Sequence, residues 1–295
     1  MTSSEYRSVF RPGLFAGRVV LVTGGGSGIG RCTAHELAAL GASVALVGRT
    51  PGKLEAVAAE LQHAGTRITH HPLDIRDEAS VQRVVGEVLG EHGRLDGVVN
   101  NAGGQFPAAA ESISLNGWEA VVRTNLGGGF LVAREAYRQY LHEHGGAIVN
   151  LIADMWGGMP GMSHSGAARA GMLNLTESLA VEWARSGVRV NAVAPGWIAS
   201  SGLDRYPPET VAQLRRLRRV VPLQRLGTEA EVSAAIVFLL SPAAAFITGS
   251  CIRVDGGVPN ARHTWPAQPV EHDSDATRPF DAFPLASRPR VLDEP

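Results

Sequence analysis

Short apolar runs alternate with longer amphipathic stretches along most of the chain, and this alternation predicts strands connected by helices. The apolar runs predict seven buried strands, at residues 18–23, 43–47, 69–73, 97–100, 147–151, 189–192 and 252–254. A helix is expected over residues 29–40, another begins at Thr50-Pro51, and Thr228–Glu231 has the sequence of a capping box. The pattern predicts a doubly wound α/β fold, in which helices cover both faces of a parallel sheet.

The two ends of the chain differ from this central pattern. Residues 1–16 form a polar lead-in, and residues 258–295 hold 7 of the 17 prolines without any apolar period. Such a composition is typical of an extended segment that lies on the body or on a neighbouring subunit. We therefore expect one domain at residues 17–257, followed by a proline-rich carboxyl-terminal tail.

Charge and cysteine usage exclude several classes of protein. Lys and Arg number 27 against 28 Asp and Glu, which argues against nucleic-acid binding. Apolar runs fall short of the roughly 18–20 residues that span a bilayer, so no membrane partner is expected. The two cysteines, Cys32 and Cys251, form neither a disulfide framework nor a metal-binding pattern, which predicts a cytoplasmic protein without a metal site.

A glycine-rich loop, Thr23-Gly24-Gly25-Gly26-Ser27-Gly28-Ile29-Gly30, joins the first predicted strand to the first helix. Glycines permit a tight turn and a close approach of backbone to a pyrophosphate, which then lies at the positive helix N-terminus. Alone the pattern equally fits a simple turn. Its position in the first βαβ unit favours a dinucleotide cofactor and a Rossmann-like sheet.

The end of the second strand indicates which dinucleotide is bound. About 20 residues beyond such a loop, an acidic side chain contacts the ribose of NAD, whereas an arginine accommodates the 2′-phosphate of NADP. Here Val47-Gly48-Arg49 supplies no acid, and Lys53, the sole lysine of the chain, follows closely. Arg49 therefore favours NADP(H), and the alternative is a solvated arginine after a strand.

Further motifs follow in order, and with them residues 15–257 resemble the short-chain dehydrogenase/reductase superfamily. Asn100-Asn101-Ala102-Gly103 resembles its structural motif beside the adenine ribose, Asp74-Ile75 its adenine contacts, and Pro195-Gly196-Trp197-Ile198 its nicotinamide loop. Asn125 matches the asparagine that holds a proton-relay water. The resemblance and the charge argument together give the cofactor-binding set Gly24, Ser27, Gly28, Ile29, Gly30, Arg49, Asp74, Ile75, Asn101, Ala102, Gly103, Arg169, Pro195, Gly196 and Ile198.

The catalytic motif departs from that superfamily. Its Tyr-x-x-x-Lys aligns with Ser165 and Arg169, and its catalytic serine aligns with Ile152. Residues 101–106, 144–150, 164–171 and 238–244 resemble the narrower branch of peroxisomal trans-2-enoyl-CoA reductases, which is related to 2,4-dienoyl-CoA reductases. The dienoyl-CoA reductases keep the lysine and have a tyrosine where this chain has Asp154.

The chemistry of these replacements favours conjugate reduction. A ketone needs a positioned acid, whereas an enoyl thioester accepts hydride at the β-carbon and needs fixed donors at its thioester oxygen. Ser165, Arg169 and Asn125 are the predicted catalytic residues. The arginines of Arg215-Arg216-Leu217-Arg218-Arg219 suit the phosphates of CoA or are a solvated helix face. Asp154 is either an exposed loop carboxylate or a desolvated acid.

Three functions remain in competition at this point. The first is an NADP(H)-dependent reductase acting on an α,β-unsaturated acyl-CoA. The second is an alcohol or aldehyde dehydrogenase in acyclic terpenoid or fatty-alcohol catabolism, and the third is a catalytically dead dinucleotide-binding scaffold. The resemblance also implies a homodimer or homotetramer that pairs through residues 115–141 and 163–185.

Overall fold

The computed structural model describes residues 10–62, 66–200, 216–260 and 274–280, together with Pro289 and Leu292. The strands in chain order are β1 (Val19–Thr23), β2 (Ser43–Gly48), β3 (Ile68–Pro72), β4 (Gly97–Asn100), β5 (Gly146–Leu151), β6 (Val188–Pro195), β7 (Ile198–Ala199), β8 (Gly227–Thr228) and β9 (Cys251–Val254). Seven of them form a parallel sheet in the order β3-β2-β1-β4-β5-β6-β9, and β7 and β8 form a separate pair. The predicted α/β fold is confirmed.

The helices lie between the strands, as the sequence pattern predicts. Those whose bounds the structure describes are α1 (Gly28–Ala39), α2 (Pro51–Glu60), α3 (Glu78–His92), α4 (Leu115–Val122), α5 (Gly129–Ala136), α6 (His142–His144), α7 (Ser163–Trp183) and α8 (Glu229–Leu240). The π-helical turn Arg123–Gly128 joins α4 to α5, and a second one, Tyr137–Leu141, joins α5 to α6. Among the described residues, no helix is long and apolar enough to cross a membrane.

The side chains of β1 show how the sheet is buried on both faces. Val20 and Val22 belong to the cluster that includes residues of α1 and α8, whereas Val19 and Leu21 pack with residues of α3, α5 and α7. Successive side chains of a strand point to opposite faces, so a strand covered on both sides must be apolar throughout. Phe15, in the polar lead-in, is also buried in the first cluster and donates its N–H to Leu40 O at 3.0 Å.

The strand order fixes the position of a crevice. The chain proceeds from β1 outward to β3 and then returns to place β4 on the other side of β1. Ligands of open α/β sheets bind where this reversal occurs, at the carboxyl ends of the strands. The glycine loop after β1 and Asn100-Asn101 after β4 meet at this point.

Local signals predicted the elements closely. The seven predicted strands are present, with ends shifted by at most three residues, and Pro51 is the first residue of α2. The capping box is formed: Glu231 N–H donates to Thr228 Oγ1 at 3.2 Å, and Thr228 N–H donates to Glu231 Oε2 at 2.8 Å. The β7–β8 pair is not predicted, because two residues are too few to show a period.

Candidate active site

The outer part of the crevice is a cleft of about 370 Å³ at the carboxyl ends of β1 to β4. The glycine loop, the end of β2 and the turn after β3 form its walls, and Asn101-Ala102-Gly103 lies at its inner end. Of the residues expected to bind the cofactor, the lining includes Gly24, Ser27, Gly28, Arg49, Asp74, Ile75, Asn101, Ala102 and Gly103. The fold therefore brings motifs that are far apart in sequence to one cleft.

The glycine loop is packed so closely at Gly24 and Gly30 that neither position has room for a side chain. Gly24 has a φ of +68°, a left-handed conformation that favours glycine. A Cβ on Gly30 would lie 2.5 Å from Asn101 Nδ2 and closer still to the carbonyl oxygen of Gly24. Asn101 Nδ2 in turn donates to Thr23 O at 2.9 Å. The glycine loop and Asn101, in the turn after β4, thus hold each other in place. The loop, called the glycine cradle below, suits a pyrophosphate at the N-terminus of α1.

Basic side chains surround the far end of the cleft. Arg49, Lys53 and Arg76 all line it, whereas Asp74 is the acidic residue in the described lining. Asp74 forms hydrogen bonds with Arg76 Nε at 2.9 Å and Nη2 at 2.5 Å, and this guanidinium lowers the pKa of Asp74 to about 2. The carboxylate is therefore charged and already paired, so Arg49 and Lys53 leave this end of the cleft positive. Arg76 was not singled out from the sequence.

A second cavity of about 390 Å³ continues inward from this cleft, and Asn101, Gly103 and Ser200 line both. Four residues of the expected cofactor-binding set line the inner cavity, namely Ile29, Pro195, Gly196 and Ile198. Much of the remaining wall is apolar, from Pro107, Leu151, Ile152, Met162 and Trp197. Ile152, which the sequence aligns with the superfamily serine, contributes an alkyl side chain to this wall.

Ser165 lies behind this cavity wall. The residue is fully buried, and its hydroxyl donates to Gln105 Oε1 at 2.7 Å. Gln105 itself lines the cavity. Its oxygen accepts from Ser165, and no hydrogen bond among the described residues uses the two N–H donors of its amide, which suit a ligand. Gln105 lies in the segment 101–106, which resembles the enoyl-CoA reductases, but the sequence alone did not identify it as a site residue.

Arg169 supplies a positive charge to the inner cavity. Its Nη1 donates to the carbonyl of Leu151, and within the described part of the chain its Nε has no hydrogen-bond partner. A Cβ on Gly103 would come within 2.6 Å of Arg169 Nη2, so Gly103 leaves the space that the guanidinium fills. Burial lowers the pKa of Arg169 to about 10, which keeps it charged at neutral pH.

Asn125 is buried in the π-helical turn and binds the loop that carries Gln105. Its Nδ2 donates to Gly104 O at 2.7 Å, and its Oδ1 accepts from Gly104 N–H at 3.0 Å. Both ends of this amide are therefore used to fix the backbone next to Gln105. A π-helical turn inside an α-helix is frequent at functional sites.

Two other candidates lie away from these contacts. Asp154 is half-buried near Asp255 and Arg253, its N–H donates to Pro195 O at 3.0 Å, and burial followed by the charge of Asp255 raises its pKa. Arg216, Arg218 and Arg219 are exposed, whereas Arg215 lies outside the described residues.

The comparisons with known proteins agree with this architecture. Residues 24–259 match a family profile described as enoyl-(acyl carrier protein) reductase. The chain belongs to the short-chain dehydrogenase/reductase family, whose members are oxidoreductases that bind a nicotinamide dinucleotide.

The names of the similar proteins describe more than one enzymatic activity. The "Probable 2,4-dienoyl-CoA reductase" of Bacillus subtilis is 39% identical over 81% of this chain and 96% of that protein. A cis-4-hydroxycyclohexanecarboxylate dehydrogenase of Sinomonas cyclohexanicum is 39% identical over 82% of this chain and 97% of that protein. The structure of a citronellol catabolism dehydrogenase (AtuB) of Pseudomonas aeruginosa PAO1 is 57% identical, with a TM-score of 0.78, over 86% of this chain and 100% of that one.

Proposed function

We propose that the chain is an NADP(H)-dependent reductase of an α,β-unsaturated acyl thioester, with an enoyl-CoA as substrate. The observation that carries this proposal is the inner cavity, where Gln105 and Arg169 provide amide and guanidinium donors. The positions aligned with the superfamily tyrosine and serine are Ser165, which is bonded to Gln105, and Ile152. Among the described residues, no tyrosine lines that cavity. Tyr137 and Tyr140 stack on Trp183 and His144, and Tyr6 and Tyr206 lie outside the described residues.

The cofactor fits the two cavities by chemistry. The glycine cradle suits the pyrophosphate, and Arg49 and Lys53 suit the 2′-phosphate of the adenosine half. Arg169, with one guanidinium nitrogen unpartnered in the described structure, suits the hydroxyls of the nicotinamide ribose. When bound, the nicotinamide supplies the hydride that reduces the β-carbon of the substrate.

Gln105 is the residue that we place at the reacting thioester. Negative charge develops on the thioester oxygen as the β-carbon is reduced, and preorganised donors aimed at that oxygen stabilise the transition state. The hydrogen bond from Ser165 holds the amide of Gln105, and Asn125 fixes the backbone beside it. The charge of Arg169 favours the enolate further, and the α-carbon takes its proton from water, which completes the addition of two hydrogens across the double bond.

This assignment changes the role proposed for Ser165. The sequence suggested that its hydroxyl acts directly on the substrate, whereas the buried hydroxyl is bonded to Gln105. We therefore propose that Ser165 is a positioning residue and that Gln105 makes the direct contact. Arg169 remains in both the cofactor-binding and the catalytic set, and Asn125 acts through its hydrogen bonds to Gly104.

Activity measurements separate the three candidate functions. We expect the protein to oxidise NADPH rapidly with a trans-2-enoyl-CoA and not with the aldehyde of the same carbon skeleton; the saturated acyl-CoA is the matched blank. Oxidation with aldehydes alone would favour the alcohol dehydrogenase alternative, which the name of the Pseudomonas aeruginosa relative supports. Tight NADPH binding without turnover of either series would favour the scaffold.

The exposed arginines at 216, 218 and 219 suit the phosphates of CoA. If they bind CoA, replacing Arg218 and Arg219 with Ala should raise the KM for an enoyl-CoA. The same pair of substitutions should leave the KM for the corresponding enoyl-pantetheine thioester unchanged, because that substrate lacks the nucleotide. An equal rise for both thioesters would contradict a phosphate contact.

We also propose that the protein is a homodimer or homotetramer that pairs through α4, α5 and α7. Leu115 on α4 is 70% exposed and Val181 on α7 is 80% exposed, and the ring of Trp118 is partly exposed as well. Apolar side chains of this size are typical of interfaces between subunits. Light scattering at micromolar concentration should give a multiple of the 31.1 kDa chain mass, and a monomer mass would contradict the proposal.

A further inference from the structure

Residues 274–280, here called the strap, pack on the main domain although they lie well beyond residue 259, where the family match ends. The strap begins with a turn in which Thr277 N–H donates to Ser274 O at 3.0 Å. It ends at Phe280, which packs against the cluster formed by Cys32 of α1 and Ala230 of α8. The ring thus covers the line along which α1 and α8 meet.

Hydrogen bonds attach the strap to the start of α8 and to Arg225 just before it. Thr228 Oγ1 donates to Phe280 O at 2.7 Å, Phe280 N–H donates to Glu231 Oε1 at 3.5 Å, and Arg225 Nε donates to Ala276 O at 2.9 Å. Arg225 also binds the two carboxylate oxygens of Glu231 at 2.6 and 2.9 Å. Since Thr228 and Glu231 form the capping box of α8, the strap is bonded to the residues that define where this helix begins.

The elements under the strap lead to both ends of the cofactor site. α1 begins at Gly28 in the glycine loop. β8 contains Thr228 and pairs with β7, and Gly227 N–H donates to Trp197 O at 2.9 Å, in the loop that lines the inner cavity. The strap therefore connects the pyrophosphate cradle with the nicotinamide loop from the outside of the domain.

We propose that the strap is a positioning segment for the cofactor, which raises the affinity for NADPH by holding α1 and the β7–β8 pair in a fixed relation. The inference rests on the proposed placement of the cofactor across the two cavities. A cofactor that contacts both elements binds more weakly when they can move apart, because binding must then also order them. No catalytic contact changes, so turnover at saturating cofactor is preserved.

The test uses the full chain with Phe280→Ala, which removes the ring and leaves the backbone hydrogen bonds possible. We expect the dissociation constant of NADPH, measured by calorimetry, to rise about five- to tenfold. Turnover at saturating NADPH should change less than about twofold. Phe280→Leu should restore most of the affinity, and Phe246→Ala, which removes a fully exposed ring elsewhere, should have no effect.

The outcomes separate failure of the strap from failure of the proposed function. If Phe280→Ala bound NADPH with unchanged affinity, whether or not its melting temperature fell, the proposed role of the strap would be wrong. The reductase proposal would not be affected. A second variant that ends at residue 273 should bind NADPH at least as weakly as Phe280→Ala; wild-type affinity in this variant would also overturn the strap. An unmutated protein that binds no NADPH would overturn both proposals.

Discussion

The outer cleft and the inner cavity of this site are under different physical constraints. The glycine loop from Gly24 to Gly30 in the outer cleft resembles the superfamily motif, whereas Ile152, Ser165 and Arg169, at or next to the inner cavity, align with positions that hold other residues in that superfamily. The cleft works by close approach of backbone, which few residues other than glycine allow. The cavity acts through side chains, and the proposed reaction needs hydrogen-bond donors instead of an acid. Under that proposal, the geometry of cofactor binding is retained while the catalytic residues differ.

The substitution Gly30→Ala in the outer cleft tests this comparison, and we expect it to have the largest effect on cofactor binding. The added methyl group meets the carbonyl of Gly24 and the amide of Asn101, so the cradle must shift. A displacement of about 1 Å at a binding site weakens function by roughly 100-fold. We expect the dissociation constants of both NADPH and NADH to rise by at least about that factor in calorimetry.

The matched control for this change is Gly52→Ala in α2. A Cβ at Gly52 meets no atom within 4 Å, so cofactor affinity should be retained. Circular dichroism of Gly30→Ala should still show the folded α/β signature, since the clash is confined to the loop. Wild-type cofactor affinity in folded Gly30→Ala would contradict the geometric account of the cleft.

The next largest effect concerns the inner cavity and is expected from Gln105→Ala. Loss of one preorganised donor to a developing oxyanion typically lowers turnover about 10²- to 10³-fold. Because this contact strengthens in the transition state, kcat should fall while the dissociation constant of NADPH stays the same. An unchanged kcat of Gln105→Ala with an enoyl-CoA would show that Gln105 does not contact the thioester oxygen directly.

Ser165→Ala should have a smaller effect in the same direction. The amide of Gln105 remains but loses the hydroxyl that orients it, and one neutral hydrogen bond is worth up to about tenfold in kcat. Ser178→Ala on the same helix removes an exposed hydroxyl bonded to Asn174 O, so it is the control. A decrease of kcat in Ser165→Ala as large as that in Gln105→Ala would indicate that Ser165 contacts the substrate directly.

The sequence predicted the cleft better than the cavity for a physical reason. The glycine loop, Arg49 and Asn101 lie next to strand ends, and local patterns locate strand ends. Gln105 and Ser165 are 60 residues apart in sequence. Nothing in either local segment indicates their hydrogen bond, and the burial of Ser165 depends on how α7 packs. The role of Arg76 could not be predicted for a similar reason, because it depends on the ion pair that Arg76 forms with Asp74.

A further test of the cleft is Arg49→Ala. A charge-assisted hydrogen bond to the 2′-phosphate is worth roughly 1.5–3 kcal/mol, or about 10- to 100-fold in affinity. NADPH affinity should fall by that factor, and NADH, which lacks the phosphate, should bind as before. Arg138→Ala, an exposed arginine away from the cleft, controls for loss of charge. Equal affinities for NADPH and NADH in the unmutated protein would contradict the preference.

The smallest effect is expected from Asp154→Asn, since this carboxylate is not among the described residues that line the inner cavity. Burial and Asp255 raise its pKa, so an acid role would make kcat fall as the pH rises through that pKa and the proton is lost. Donation by the Gln105 amide and the charge of Arg169 do not change between about pH 6 and 8, because an amide does not titrate there and Arg169 has a pKa of about 10. We therefore expect kcat to stay level over this range and Asp154→Asn to alter it less than about twofold, within the range expected for a residue outside the reacting contacts. A decrease of kcat with rising pH that is absent in Asp154→Asn would instead identify Asp154 as the proton donor. The site would then still use an acid, supplied from a different position than in the superfamily.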